Sequence, residues 1–248
     1  MEVTTLVRIQ RVRDKFARSE RHLLPMRELL KDRVASRNLR SKTLLLLTSD
    51  RGLCGGFNTN LADLVQKDLD RYRDFDLIAL GENGRECFRR KRVGLTPKVR
   101  EPFQKIDFLS AYNILQGVMD ESSELHIAYN HYNGTLALEP RVYRLFPIPE
   151  EIEPAGEAEP RILEPDPQLL LDKMLRYYIE IKFYNLLLNS QLGELTARLL
   201  VLNSSVKNSK ELIDTLQISI NKMRQASITR ELSEVVASAE IIRGEADE

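Results

Sequence analysis

Hydrophobic residues near the start of the chain recur at alternating steps of three and four, the spacing of a helix that packs along one partner helix. This pattern predicts a helix over residues 5–33, with Ser19 in the single polar position of its apolar seam. Pro25 lies within the segment and predicts a kink or a local break. The N-terminal seam consists of Ile9, Val12, Phe16, Leu23, Met26 and Leu30.

A second apolar seam occupies the last third of the chain. From Gln168 to about Arg243 there is no proline, and Gly193 is the only glycine. Asp166 suits the N-cap of this helix and Pro167 its first helical position. One unbroken helix of roughly 75 residues would be ~110 Å long, more than a compact domain can bury. We therefore expect it to pair with the first helix, antiparallel, and elsewhere with another protein. The C-terminal seam, interrupted only at Ser209, consists of Leu192, Leu195, Leu199, Leu202, Val206, Ile213, Leu216, Ile220 and Met223.

Between the two helices, residues 42–146 alternate strand-like and helix-like segments, which is typical of an α/β domain. The apolar run at 43–47 predicts a strand that is buried on both faces. Asn58 or Thr59 suits the cap of the helix that follows. Further strands are predicted at 77–80, 125–129 and 142–146, and helices at 59–72, 83–92 and 107–120.

The predicted fold is therefore an antiparallel coiled coil of the N- and C-terminal helices with an inserted, Rossmann-like α/β domain. Residues 147–167 contain six of the ten prolines and many acidic residues, so they predict an exposed linker. The predicted division is an N-terminal helix at 1–40, an α/β domain at 41–147, a linker at 148–167 and a C-terminal helix at 168–248.

Charge is balanced over the whole chain, with 37 Lys and Arg against 37 Asp and Glu. This balance argues against a general nucleic-acid binder, which usually has a basic excess. The distribution is uneven: eleven basic and five acidic residues give residues 1–40 a net +6, whereas one basic and seven acidic residues give 147–168 a net −6. The first helix has a basic stripe that is either a solvated face or a partner surface, formed by Arg8, Arg11, Lys15 and Arg18.

The two cysteines, Cys54 and Cys87, belong to no CxxC pair, and the three histidines have no metal-ligand spacing. Neither a disulfide framework nor a metal site is therefore expected, and this cysteine usage fits a reducing compartment. The sequence contains no apolar run of the ~18 residues that a membrane span requires, and no signal peptide is evident before the first helix.

The stretch SDRGLCGGFN, residues 49–58, raises the question of a phosphate-binding loop. A Walker loop needs a lysine, which is absent here, and the GxxGG spacing does not match the GxGxxG dinucleotide fingerprint. A nucleophilic Cys54 would need a base, and the nearby candidates His126 and His131 have no evident orienting acid. The alternative is a tight strand-to-helix turn in which glycines permit positive φ. Since no acid/base pair is evident either, the sequence favours a structural or mechanical role.

Four segments resemble the gamma subunit of F-type ATP synthases, the rotating central stalk. TSDRGLCGGFNTNL is similar to the signature turn of that family, and LIDTLQISINKMRQASITRELSEVVASAE is similar to its C-terminal signature. IAYNHYNGTLALEPRVYRLFPIP resembles its late strand pair, and LEPDPQLLLDKMLRYYIE resembles its linker-to-helix junction. The family architecture coincides with the one predicted above.

The resemblance implies a non-catalytic rotor subunit that needs no cofactor. The C-terminal helix would enter the cavity of a ring of alpha and beta subunits, and the α/β domain would lie on the membrane c ring beside the epsilon subunit. Proton flow would turn the c ring and the stalk, and the turning stalk would drive the beta subunits through their nucleotide states. The complex would be peripheral, at the cytoplasmic face of a bacterial plasma membrane or its organellar equivalent.

The resemblance also implies two sets of contact residues. The set that would contact the alpha and beta ring is Glu194, Arg198, Arg224, Gln225, Thr229 and Glu231. The turn that would face beta or epsilon comprises Arg51, Gly52, Cys54, Gly55 and Gly56, and we expect Arg51 and Cys54 to be presented to the neighbouring subunit.

Met1 aligns inside the first helix of the family, so we expect a start that is shortened by roughly twenty residues, about 30 Å of helix. This shortened start motivates an alternative function, a gamma-like coiled-coil adaptor that is not part of a rotary ATPase. A third hypothesis, an enzyme that uses Cys54, predicts that Cys54→Ser abolishes a turnover. The redox insertion of plant-type relatives has no counterpart here, so thiol regulation is not expected.

Overall fold

The computed structural model describes residues 2–30, 41–96, 103, 106–119, 122–134, 138–148 and 167–246. It divides into two compact units, Met1–Val201 and Leu202–Glu248, which we call the first and second units. The elements in chain order are α1 Glu2–Leu29, β1 Ser41–Leu47, α2 Phe57–Lys67, β2 Phe75–Leu80, α3 Glu82–Arg90, α4 Phe108–Met119, β3 Ser122–Tyr132, β4 Leu138–Phe146 and α5 Pro167–Ala246.

The first unit contains a four-stranded sheet with the strand order β2-β1-β3-β4. The central strand β1 pairs in parallel with β2 and β3, and Leu44 lies opposite both Leu77 and His126. The edge strand β4 runs antiparallel to β3. Strand β1 thus has a paired strand on each side within the sheet. The sequence also predicts that both of its faces are buried, which depends on the helices that pack on the sheet.

Both faces of the sheet are covered, because successive residues of a strand point to opposite sides. Leu45 and Leu47 of β1 belong to a cluster that includes buried residues of α1, α4 and α5. Leu44 and Leu46 belong to a second cluster, which includes residues of α2 and α3. The predicted α/β domain is therefore confirmed, with helices on both sides of a mostly parallel sheet.

Helix α1 packs antiparallel to α5, as the heptad pattern predicts. Val12 of α1 and Leu195 of α5 line the same groove. Further along α1, the Asn185 side chain donates a hydrogen bond of 2.9 Å to Ser19 Oγ. Residue numbers thus increase along one helix as they decrease along the other, so the two helices are antiparallel. Ser19, the polar residue of the N-terminal seam, forms a buried hydrogen bond at this contact.

Three predictions differ from the structure: the local break at Pro25, the end of α2 and the start of the exposed linker. Helix α1 continues through Pro25 to Leu29, so the predicted local break is absent, whereas the alternative, a kink, stays a prediction. Residues 31–33 of the predicted helix lie outside the described residues. Helix α2 ends at Lys67 rather than at residue 72, because the backbone N–H groups of Arg71 and Tyr72 donate to carbonyls three residues earlier, as in tight turns. The predicted linker begins with Ile148, which is buried in the core, and its residues 149–166, with the expected cap, are outside the described part.

Helix α5 has different surroundings in the two units. In the first unit its C-terminal seam begins with Leu192 and Leu195, which are both buried. In the second unit every residue from 203 to 237 is exposed. The seam residues exposed there are Val206, Ile213, Leu216, Ile220 and Met223. No helix within the described ranges is both long and apolar enough to cross a membrane.

Candidate functional site

The glycine-rich turn of residues 49–58, which we call the corner, connects the carboxyl end of β1 to α2. Asn58, a predicted cap, lies inside the first turn of α2, whereas Gly56 occupies the cap position without a side-chain hydrogen bond. Asn58 Oδ1 accepts the Ser49 N–H at 3.0 Å, and Asn58 Nδ2 donates to Ser49 Oγ at 2.7 Å and to Asn83 Oδ1 at 3.1 Å. The cap prediction was wrong because Asn58 connects the strand to α3 instead. The sequence indicated a structural role for Asn58 within its own turn, but it gave no sign of the hydrogen-bond partners Ser49 and Asn83.

Cys54 does not face outward, so the expectation that its thiol is presented to a neighbour is wrong. Its side chain is buried, with Sγ 3.5 Å from Ser49 Oγ and 3.8 Å from the Arg51 carbonyl oxygen. Asn58 Nδ2 lies 4.0 Å from the same sulfur. None of these described polar contacts is a base that could activate a thiol, so the geometry offers no support for a nucleophilic Cys54.

The backbone at position 55 and the packing of α5 on the corner both favour a glycine there. Gly55 has a φ of 56°, and a Cβ there would lie 3.3 Å from Val201 Cγ2 of α5. Both the left-handed backbone and the close approach favour glycine over any other residue. At Gly52 a Cβ would meet Asn83 at an ordinary 3.6 Å, and at Gly56 it would lie 2.8 Å from Asn60 Oδ1, the end of a flexible side chain.

Three of the residues implied by the resemblance meet at this corner. Arg198 Nη2 forms a 2.5 Å ion pair with Glu194 Oε1, one turn earlier on α5. The same nitrogen lies 3.5 Å from the Arg51 carbonyl oxygen, so it connects α5 to the corner. Because Glu194 is only 1% exposed, its carboxylate orients Arg198 rather than reaching a partner directly.

Leu53 is a feature of the corner that sequence reasoning missed. It has a φ of 60° and is 67% exposed, beside the exposed side chain of Arg51. The glycines and the cysteine dominate the pattern of this stretch. The available signal was weaker: Leu53 is a large apolar residue that follows the polar and small residues 49–52 of the turn.

Polar side chains of α5 also form hydrogen bonds with the end of β3 and with Phe103, which lies outside the sheet. Asn189 Oδ1 accepts the Tyr132 N–H at 2.8 Å, and Asn189 Nδ2 donates to the Tyr132 carbonyl at 3.2 Å. Gln191 Nε2 donates to the Phe103 carbonyl at 2.6 Å. These bonds join residues that are far apart in sequence, so no local pattern predicts them.

The remaining implied contact residues lie on the second unit and are all exposed. Thr229 Oγ1 donates to the Gln225 carbonyl of its own helix at 2.9 Å, and Ser227 Oγ donates to Glu231 Oε1 at 3.2 Å. The exposed Arg224 and Gln225 side chains, at adjacent positions, offer forked donors to a carboxylate or a backbone on another molecule.

Comparisons with known proteins agree with this architecture. A family model described as ATP synthase matches residues 1–242. The ATP synthase gamma chain of Chlorobaculum parvum is 34% identical over 215 residues, which are 81% of this chain and 73% of that protein. The ATP synthase gamma chain of Moorella thermoacetica is 33% identical over 220 residues, 84% of this chain and 76% of that protein.

Solved structures of mitochondrial ATP synthases share the fold. A chain from the Euglena gracilis OSCP/F1/c-ring structure in rotational state 3 matches with a TM-score of 0.63 at 15% identity, covering 100% of this chain and 96% of that chain. A chain from the central stalk/c-ring structure of Tetrahymena thermophila has a TM-score of 0.56 at 20% identity, covering 83% and 97%. The sequence relatives and the shared central-stalk fold thus agree, and the chain belongs to the ATP synthase gamma chain family.

Proposed function

We propose that this chain is the central rotor stalk of an F-type ATP synthase and couples proton translocation to ATP synthesis or hydrolysis on the beta subunits. The observation that supports this function best is the change in surroundings along α5. Its apolar seam begins with the buried Leu192 and Leu195 in the first unit, and the same heptad spacing continues to Met223 within the segment 203–237, where every residue is exposed. A sustained apolar seam that is exposed in the single chain requires a partner surface.

In this proposal the exposed seam lies in the cavity of a ring of alpha and beta subunits. The α/β domain lies on the c ring beside the epsilon subunit, and the complex is peripheral, at the cytoplasmic face of a bacterial plasma membrane or its organellar equivalent. The stalk itself performs no bond chemistry. As the stalk rotates, each beta subunit faces different sides of it in turn. Because these sides contact a beta subunit differently, rotation changes the affinity of that subunit for nucleotide.

Two groups of residues would make the directional contacts. On the second unit, Arg224 and Gln225 would donate to carboxylates and backbone of a beta subunit, with Thr229 and Glu231 one turn further along the helix. On the first unit the corner would face a beta subunit of the same ring or the epsilon subunit. Arg198, oriented by Glu194, would keep this corner in a fixed position on α5.

Co-expression with the alpha, beta and epsilon subunits of the same genome tests this proposal. We expect a complex that contains this chain and hydrolyses ATP, and we expect Arg224→Ala combined with Gln225→Ala to impair its assembly or its rotation. Lys210→Ala, on an exposed position of the same helix, is the control and leaves the complex intact. Circular dichroism of the free double variant should show a folded α/β domain.

The competing function, a gamma-like adaptor outside any rotary ATPase, predicts that no such complex forms. Recovery of the alpha and beta ring without this chain would therefore contradict the rotor function. Unfolding of the free double variant would mean that Arg224 and Gln225 support the fold rather than a contact.

A further inference from the structure

The basic stripe of α1 lines a groove between α1 and α5 in the first unit, which we call the basic groove. The groove has a volume of about 440 Å³, within the range of small-molecule sites in proteins. A concave site favours a binding surface over a solvated helix face. The basic residues that line it are Arg8, Arg11, Lys15 and Arg18.

The positive charges of the basic groove are not neutralised within the described part of the chain. Two carboxylates also line the groove, but each already has a partner. Glu194 Oε1 pairs with Arg198 at 2.5 Å, and Asp14 Oδ1 accepts a hydrogen bond from Gln10 Nε2 at 3.2 Å. None of the four basic side chains forms an ion pair with a described residue. The groove therefore has an excess of positive charge.

The spacing of the four basic residues makes this excess unfavourable in the unliganded chain. Arg11 follows Arg8 by three positions and precedes Lys15 by four, so these side chains are neighbours on the helix surface. Like charges at such spacings repel each other and destabilise the helix. All four side chains are exposed, so an anion from solution could reach them and remove the repulsion.

The size of the groove indicates what kind of anion it fits. From Arg8 to Arg18 the stripe spans ~15 Å of helix, so a single phosphate could contact only part of it. An acidic helix of that length is ~10–12 Å across and occupies more than ~1,000 Å³, which exceeds the volume of the groove. A short linear chain of phosphates is narrow and has negative charge along its whole length, so it matches both the volume and the stripe.

The rest of the lining suits such a ligand. Val12 and Leu195 are apolar, so a base or another apolar group attached to the phosphates could pack on them. The buried Gln191 is held in place, because its Nε2 donates to the Phe103 carbonyl at 2.6 Å. Arginine guanidinium groups offer paired donors in the geometry that phosphate oxygens accept.

We propose that the basic groove binds a short linear polyphosphate, either free or as the triphosphate of a nucleotide. The guanidinium groups of Arg8, Arg11 and Arg18 would donate to phosphate oxygens, and the Lys15 ammonium would add a positive charge between them. This site goes beyond the proposed rotor function and does not depend on it, because binding is a property of the free chain.

Titration calorimetry of the free, full chain with sodium tripolyphosphate tests the inference. We expect one site per chain, an affinity at least about tenfold higher than that for orthophosphate, and weaker binding as the salt concentration rises. Arg11→Ala combined with Lys15→Ala should lower the affinity at least about tenfold, because charge-assisted contacts to phosphate are lost. Circular dichroism should show that this exposed double variant remains folded.

Two single variants separate the groove from general charge effects. Arg21→Ala removes one positive charge from an exposed position of α1 outside the groove, so its affinity should stay within about twofold of the wild type. Asp14→Asn removes a carboxylate from the lining and should increase the affinity by about two- to threefold. Because unfolding cannot increase affinity, Asp14→Asn tests the site independently of the double variant.

ATP distinguishes the two sources of the phosphate chain. Tighter binding of ATP than of tripolyphosphate would support a nucleotide whose base packs on Val12 and Leu195, and equal affinities would support the phosphate chain alone. The inference is overturned if tripolyphosphate does not bind saturably, or if Arg21→Ala loses as much affinity as the double variant. It is also overturned if a glutamate-rich peptide binds more tightly than tripolyphosphate, because the groove would then accept an acidic protein segment.

Discussion

Gly84 lies where α3 crosses the end of β1, and there is no room for a methyl group. A Cβ at this position would lie 1.9 Å from Thr48 Oγ1 and 2.0 Å from Thr48 Cβ, the β-branched and buried base of a side chain. We expect Gly84→Ala to lower the free energy of unfolding by about 1–3 kcal/mol, because the strand and the helix must separate. Chemical denaturation followed by circular dichroism measures this loss.

Gly117 is the matched control for that substitution. It lies in α4, with nothing within 4 Å of a built Cβ, so Gly117→Ala creates no clash. Because alanine has a higher helix propensity than glycine, we expect a gain of about 0.5–1 kcal/mol. Equal effects of the two alanine substitutions would contradict the role of close packing at Gly84.

His126 should make the stability of the first unit depend on pH. Its ring is 6% exposed, packs at 5.2 Å from Phe75 and forms a 2.7 Å contact with Glu124. Burial lowers the pKa of His126 below its ordinary 6.5, and the charges of Arg71 and Arg144 act in the same direction, although Glu124 opposes them. The unfolded chain then binds the proton more tightly, so this stabilisation is complete above pH ~6.5 and is lost as the pH falls.

We therefore expect the thermal midpoint to fall between about pH 7 and pH 5, and we expect His126→Gln to reduce that slope. Some dependence will remain, since burial also lowers the pKa of His131. A pH slope that is unchanged in His126→Gln would show that protonation of His126 does not limit stability.

Among the elements, the attachment of α5 to the sheet depends on Asn189. This side chain is 4% exposed and satisfies both the N–H and the carbonyl of Tyr132 at the end of β3. Asn189→Ala would leave two backbone groups without these partners, so we expect a loss of about 2 kcal/mol in the free energy of unfolding. Asn113→Ala, on the exposed face of α4, is the control and should change stability by less than about 0.5 kcal/mol.

Asn189→Asp keeps the acceptor for the Tyr132 N–H but removes the donor to the Tyr132 carbonyl. Denaturant titrations of the three variants should therefore rank Asn113→Ala as the most stable. Asn189→Ala with the stability of Asn113→Ala would mean that water replaces both hydrogen bonds.

The sequence could predict some elements better than others. The difference depends on whether the interactions that form an element join residues close together in sequence or residues in different elements. The heptad seams are local periodic signals, and they correctly predicted α1, α5 and their antiparallel pairing, including the buried polar position at Ser19. The predicted role of Asn58 as a helix cap was wrong because its hydrogen-bond partners Ser49 and Asn83 lie outside α2. Leu53 was missed because residue type alone does not specify a positive φ at a leucine.

For the whole molecule, the resemblance to the gamma subunit family was confirmed by the relatives and by the fold. The predicted contact residues divide between the two units, and their roles remain predictions. The division between the two units decides what a substitution tests. Substitutions in the core of the first unit, such as Asn189→Ala, affect its fold. Substitutions on the exposed surface of the second unit should affect association alone.

The exposed seam of the second unit allows that separation to be tested. Ile213, Leu216 and Ile220 are between 52% and 63% exposed and recur at steps of three and four. Replacing all three by alanine removes apolar surface but favours the helix, since alanine has the highest helix propensity. We therefore expect the free chain to keep its helical circular dichroism signal and its first-unit stability, while its affinity for the alpha and beta ring falls at least about tenfold.

The matched control replaces three exposed polar residues of the same helical segment, Lys210, Asp214 and Gln217, by alanine. Both triple variants change helix propensity in the same direction, so a difference in affinity between them reports the apolar surface itself. If both variants bind the ring equally, the heptad spacing of this segment serves only the helix and not an interface. If the seam variant binds weakly and the control binds as the wild type does, the partner of the second unit packs on the continuation of the seam that α1 and α5 bury in the first unit.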